Sequence, residues 1–197
     1  MPALAVTGDG KLVVAYRLVV GDGSAIAAAV WNGTGWAVLG NGIPQPALAI
    51  SLGGENSGAP VAAYLDDRFS RVSRWNGSTW ADIGRPFKLP ILGRAFGEPS
   101  LTVRGSQPLV VCGIHSSPDT TTGRRMLVAH AWSRLSGWEP VGQGTVNGVT
   151  ALADSNDLDY IIRSDQRGRP WVAWTAKGSI DPNIFVSTLA PPDNAPG

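Results

Sequence analysis

The chain has 197 residues, 43% of them hydrophobic, which is enough to fill the core of one ordinary domain. Its 16 Lys+Arg nearly cancel its 15 Asp+Glu, and only 16% of residues are charged, so no basic face is available to a phosphate backbone or an anionic lipid surface, and nucleic acid and membrane insertion are excluded as roles. No apolar run approaches the roughly eighteen residues of a membrane span, the opening stretch shows no basic n-region or cleavage site of an export signal, and a single cysteine rules out an internal disulfide.

Taken from the start, the chain offers short apolar segments at about 3–7, 12–17, 25–31 and 35–39, separated by Gly-containing turns. None keeps a helical period, so these are read as strands. LVVAY and AIAAAVW are continuously apolar rather than alternating, which implies a sheet covered on both faces. The phrases then return. LVVAY at Leu12 becomes PVAAY at Pro60, LVVCG at Leu109 and PWVAW at Pro170; PALAV at Pro2 becomes PALAI at Pro46 and PSLTV at Pro99. WNGTGW at Trp31 becomes WNGSTW at Trp75, and the pair recurs as Trp132 and Trp138. A period of this length marks a repeat architecture. The reading is an all-β propeller of about four four-stranded antiparallel blades, with repeats at about 2–45, 46–98, 99–157 and 158–189, the last lacking its outer strand. Residues 190–197 form a Pro-rich tail or linker. The Asn-Gly pair is read as a tight hairpin between the third and fourth strands, with φ > 0 at both central residues, and the flanking Trp residues as apolar area on the outer strands.

PALAV-x-GDG-x-LVVAY followed by VWNGTGWAVLG resembles the propeller repeats of bacterial secreted and surface proteins, and is loosely similar to sialidase-like and tectonin-type propeller lectins. The resemblance implies the fold, a glycan or protein-surface ligand, and an extracellular or cell-surface setting. Two departures matter: Ser164–Trp171 misses the spacing of a sialidase Asp-box by a residue and reads as a hairpin turn, and the chain has only Glu55, Glu98 and Glu139 as glutamates. A glycosidase needs two carboxylates about 5 to 10 Å apart in a cleft.

In such a meander the first-to-second and third-to-fourth turns share one face and are short. Long second-to-third loops and blade crossings gather on the other face, where binding residues are expected. The candidates there are Asp66, Asp67 and Arg68, two carboxylates beside a guanidinium that suit sugar hydroxyls, and His115, Asp119 and Arg124 in the longest loop. Asp154, Asp157 and Asp159 present hard oxygen ligands at a spacing that suits Ca²⁺, without the glycine and distal Glu of an EF-hand; no other cofactor is called for. Cys112 aligns with Ala15, Ala63 and Ala173 and is read as a buried filler, and Gly113 breaks the aromatic position of Tyr16, Tyr64 and Trp174. Without a catalytic constellation, the sequence ranks a non-catalytic binding module for carbohydrate or protein surfaces first. A glycosidase or sialidase-like enzyme is second, and a structural propeller part that pairs with its own copy to complete a larger ring is third.

Overall fold

A computed structural model describes residues 2–20, 23–43, 49–65, 69–88, 95–115, 125–141, 149–150, 159–177 and 182–189. These form four antiparallel sheets and no helix. The first blade is β1 (Ala3–Val6), β2 (Leu12–Val20), β3 (Gly23–Trp31) and β4 (Trp36–Val38). The second is β5 (Ala49–Gly54), β6 (Pro60–Leu65), β7 (Phe69–Trp75), β8 (Trp80–Asp82) and β9 (Phe87–Lys88). The third is β10 (Ala95–Arg104), β11 (Gln107–His115), β12 (Arg125–Ser133), β13 (Gly137–Pro140) and β14 (Val149–Thr150). The fourth, β15 (Tyr160–Ser164), β16 (Pro170–Lys177) and β17 (Pro182–Thr188), has three strands among the described residues. Each sheet runs in sequence order from its innermost strand outward, so the propeller expectation holds. The outer position of the second blade is a broken strand, because β8 and β9 both pair with β7; β13 and β14 do the same on β12. Part of what reads as crossing loop is therefore strand.

Blades stack through three apolar layers. Val13, Ala15, Ile26 and Ala28 of the first blade meet Leu52, Ala62 and Tyr64 of the second. Val61, Ala63 and Val72 then meet Leu101, Val110 and Cys112 of the third. Val111, Leu127 and Ala129 meet Ile162, Val172 and Trp174 of the fourth. The middle strands of the second and third blades thus bury both faces, as in β6, where all six residues are buried. At about 25 cal/mol per Å² of apolar surface, these layers are the main source of stability.

The Trp-Asn-Gly phrase works differently from the expected two-residue turn. Trp31 pairs with Trp36 across a four-residue loop, Asn32–Gly35, closed by Asn32 N–H to the Gly35 carbonyl at 3.0 Å. The Asn32 side chain accepts from Thr34 and Gly35 N–H groups, and Gly33 carries the positive φ of 100°. Asn76 repeats this bonding with Ser78 and Thr79. Asparagine is chosen for its side-chain oxygen and glycine for its backbone. The Trp rings of each pair touch edge-on or tilted, 5.6 Å apart in the first blade and 5.9 Å in the second.

One register differs from the repeat read by eye. β5 pairs Leu52 with Ala62, as β1 pairs Leu4 with Val14, so Leu52 rather than Leu48 is the counterpart of Leu4. The inner strand of the second blade ends in Gly53-Gly54, which looks like a turn in sequence. Inner strands converge there: a Cβ on Gly54 would lie 2.4 Å from Thr7 Cα, and one on Gly53 would lie 2.8 Å from Val103.

Glycine also seats the tryptophans. A Cβ on Gly40 would stand 3.0 Å from the Trp75 ring, and one on Gly84 would stand 2.2 Å from the Trp132 ring, both at positive φ. The first Trp of the second and of the third blade therefore rests on a glycine that follows β4 or β8 in the preceding blade, and Trp138 donates its indole N–H to the Ile83 carbonyl at 2.8 Å. Gly84→Ala is expected to cost about 3 kcal/mol, since strain and a displaced ring add. Gly33→Ala, at a positive φ with open space around it, is expected to cost about 1 kcal/mol. Urea titration of both variants checks this, and equal losses would show that the Trp132 ring does not need that seat.

Candidate functional site

The two ends of the propeller differ in character. At the short-turn end, inner turns are stitched together: Gly8 N–H donates to the Glu55 carbonyl at 2.9 Å, and Asn56 N–H donates to the Gly105 carbonyl at 3.3 Å. Glu55, nearly buried, is held by the Arg74 guanidinium at 2.5 and 2.6 Å, and Arg74 also reaches the Ser106 carbonyl. Asp165 accepts from Arg167 and Arg169 N–H groups and pairs with the Arg169 side chain at 2.7 Å. Those bonds hold its carboxyl down at about 2, and Asp9, bonded by Lys11 and Thr7, sits likewise at about 2. These carboxylates are structural and their bonding is satisfied.

Between the third and fourth blades, also at this end, lies a hollow of about 430 Å³ with Leu109, Ala131 and Pro170 on its walls and Arg104, Arg134 and Glu139 at its rim. It opens where the fourth blade has no Trp hairpin. At the first-to-second and second-to-third contacts the next blade's aromatic pair packs there, so the hollow goes with the lack of a Trp hairpin on the fourth blade among the described residues.

The opposite end carries a different geometry. β10 is an innermost strand whose pairing with β11 jumps from Phe96↔Gly113 to Ser100↔Val111, leaving Gly97, Glu98 and Pro99 facing a single partner residue. A bulge of this kind re-aims a side chain, and Pro fits there because an inner strand is a sheet edge. Glu98 is exposed. The offset to the next blade is fixed by two bonds, Ile162 N–H to Ser100 Oγ at 2.9 Å and Thr102 Oγ1 with Ser164 Oγ at 2.8 Å, both 62 positions apart. The same offset places Tyr160 level with Glu98. Tyr160 accepts from Gly113 N–H at 2.7 Å, so the space left by the missing aromatic at position 113 is taken by the neighbouring blade's phenol. Burial first, with the Cys112 and Glu98 charges behind it, pushes the Tyr160 hydroxyl far up from its ordinary range, so it is a neutral hydrogen-bonding group. Asp159, exposed and next in line, is anchored through its backbone, with Thr175 N–H donating to its carbonyl at 2.9 Å.

Of the residues expected from sequence, Asp159 lies at this mouth, and the backbone of His115 ends β11 opposite Arg125. Asp66, Asp67, Arg68, Asp119, Arg124, Asp154 and Asp157 lie outside the described residues. Among the described residues no cluster of three His, Cys, Asp or Glu side chains could hold a metal. Cys112 is fully buried, bonded to Ser70 Oγ, with its thiol pushed up to about 12 by burial, as an inert filler should be. Glu98 itself was visible in sequence as one of three glutamates. The Gly-Glu-Pro interruption of a strand pattern was the signal that would have singled it out.

No protein family matches the chain by sequence, and no curated protein does. Solved structures match it in fold. A Penicillium chrysogenum α-L-arabinanase complexed with arabinobiose is 12% identical, with a TM-score of 0.58, over 96% of this chain and 62% of its own. A Fusarium graminearum α-L-arabinofuranosidase in complex with an iminosugar inhibitor is 12% identical at TM-score 0.61, over 96% and 61%. An endo-arabinase from Bacteroides thetaiotaomicron is 13% identical at 0.55, over 98% and 75%. The chain thus spans about three-fifths to three-quarters of the length of these neighbours. The likeness is to arabinan-acting propellers, where the sequence pointed to sialidase-like and tectonin-type ones. It also overturns the order of readings drawn from sequence: the non-catalytic binding module and the expectation of a non-enzyme no longer lead, because the solved structures it resembles are arabinanases and an arabinofuranosidase.

His130, buried in β12, is pushed down to about 4 by burial and is neutral in the folded chain. Its folded value lies below the unfolded one near 6.5, so the unfolded chain takes up a proton first and stability falls as pH drops from 6.5 through 4. The expected loss at pH 4 is about 3 kcal/mol, ahead of the loss from Asp9 and Asp165, which titrate near 2. Denaturation midpoints of the wild type and His130→Leu between pH 7 and 4 check it; equal slopes would contradict it.

Proposed function

We propose that the chain belongs to a glycoside hydrolase and carries carboxylates of its active site at the long-loop mouth, acting on arabinan or a related furanose-containing glycan. The observation that carries this reading is the fold likeness across 95–98% of the chain to arabinan-acting enzymes. The local geometry agrees with it. Glu98 is exposed at a bulge of its inner strand and has no ion pair among the described residues, Asp159 immediately precedes the adjoining inner strand, and the neutral Tyr160 hydroxyl accepts from Gly113 N–H nearby. Glycoside hydrolysis uses two carboxylates that flank the scissile bond: one protonates the departing glycosidic oxygen while the other activates water or attacks the anomeric carbon. Glu55 and Glu139 suit this less, since Glu55 is neutralised by Arg74 and both stand toward the short-turn end.

The test is release of reducing sugar from linear and branched arabinan and of the phenol from aryl arabinofuranosides. Glu98→Gln and Asp159→Asn are each expected to lower kcat by roughly 10²–10⁴-fold with sugar binding retained. Unchanged turnover in both variants would sink the assignment.

A further inference from the structure

Among the described residues, every exposed large hydrophobic side chain except Leu135 belongs to the first or the fourth blade. They are not scattered. Leu4, Val14, Ala29 and Val38 lie in one cross-strand row, with Val6, Leu12 and the Trp31–Trp36 pair beside it, forming an uncharged sheet face. Leu4 is 65% and Val6 59% exposed. On the fourth blade Ile161, Trp171, Ile184 and Val186 share the face turned away from the third, and Ile184 is 75% exposed.

These two faces are the missing halves of the contact that recurs between blades. In register, Leu4, Val14 and Tyr16 correspond to Leu52, Ala62 and Tyr64, which the second blade buries against the first. Ala173 and Val186 correspond to Ala15 and Ala28, which the first blade buries against the second. Trp31 corresponds to Trp75 and Trp132, yet it has no glycine seat from a preceding blade. Leu189 holds the same position in the fourth blade: its N–H donates to Pro170 as the strand pairing would require, and it is buried against the third blade. The pattern of faces is thus continuous to both ends of an open arc.

We infer that this gap is filled by a further blade of the same repeat, carried on polypeptide outside residues 1–197, that docks one face on Leu4 and Val6 and the other on Ile184 and Val186. Fold neighbours matched over nearly all of this chain have 25–42% of their length left over, room for at least one blade and too little for a four-bladed second copy. The added blade is expected to place a left-handed glycine under Trp31, as Gly40 does under Trp75. The hollow beside Ala131 and Pro170 is expected to receive the outer hairpin that the fourth blade lacks.

Light scattering of the 197-residue chain over a wide concentration range is expected to give the monomer mass, with strong binding of a hydrophobic dye that Val6→Asp/Ile184→Asp reduces. A dimer, or a chain that binds no dye, would overturn the inference in favour of a second copy or a closed arc. A variant that repeats residues 32–88 after Leu189 supplies both the missing hairpin and one added blade. Its Tm is expected to rise by about 5 °C or more, with dye binding falling several-fold, and the same two Asp substitutions should remove that gain. An extended protein that folds with unchanged Tm and dye binding would contradict it. Neither readout depends on catalysis, so the proposed activity can fail independently.

Discussion

The structure depends on one recurring contact, the apolar face of each blade laid on the next and locked where a tryptophan ring rests on a glycine. A sheet with a single covered face would alternate polar and apolar residues; β6 and β11 bury both faces because a blade stands on either side of them. The outer strand breaks at Gly40 and Gly84, and those breaks make room for Trp75 and Trp132, so a glycine of one blade and a tryptophan of the next act as a single feature although they are far apart in sequence. Polar stitching between inner strands, Leu101 N–H to Ser51 Oγ and Ile162 N–H to Ser100 Oγ, then fixes how far each blade slides against its neighbour.

That fixed offset is what gives the mouth its chemistry. Once Ser100 and Thr102 set the register between β10 and β15, a three-residue bulge is enough to bring Glu98 to the level of Tyr160, and the glycine at 113 lets the phenol reach across. The short-turn end uses its charges differently. Glu55, Asp9 and Asp165 hold turns together, and their low values or close cationic partners mark them as structural. The division of labour between two ends of one scaffold follows from turn length: short turns must satisfy their own polar groups, whereas the ends of inner strands at the other face can present theirs.

Much of the fold was legible because it is repetitive. LVVAY, PVAAY, LVVCG and PWVAW are the four middle strands in the structure, Cys112 lies where the alanines lie, and the last blade has the three strands read for it. What escaped the reading is local and has a physical cause. The inner strand of the second blade ends in Gly53-Gly54 because Val103 and Thr7 leave no room for side chains, so a strand carries the composition of a turn. The Asn32 loop is a residue pair longer than its Asn-Gly signature suggests, since the asparagine serves through its side chain. Glu98 stands out only through the Gly-Glu-Pro interruption that marks its bulge, and its place level with Tyr160 comes from a register between blades that the local pattern of one strand does not encode. The candidates drawn from long loops were chosen by loop length and charge alone, and most of them lie outside the described residues, Asp159 being a described one that stands at the mouth.

Amide hydrogen exchange resolved by strand tests the central claim, that blade-on-blade burial holds the molecule and leaves both ends of the arc uncovered. Protection is predicted to peak in β6 and β11, which are sandwiched between blades, and to be weakest in β4 and β17, which edge the open faces. Uniform protection across the four blades, or the strongest protection in the first and fourth, would contradict the account.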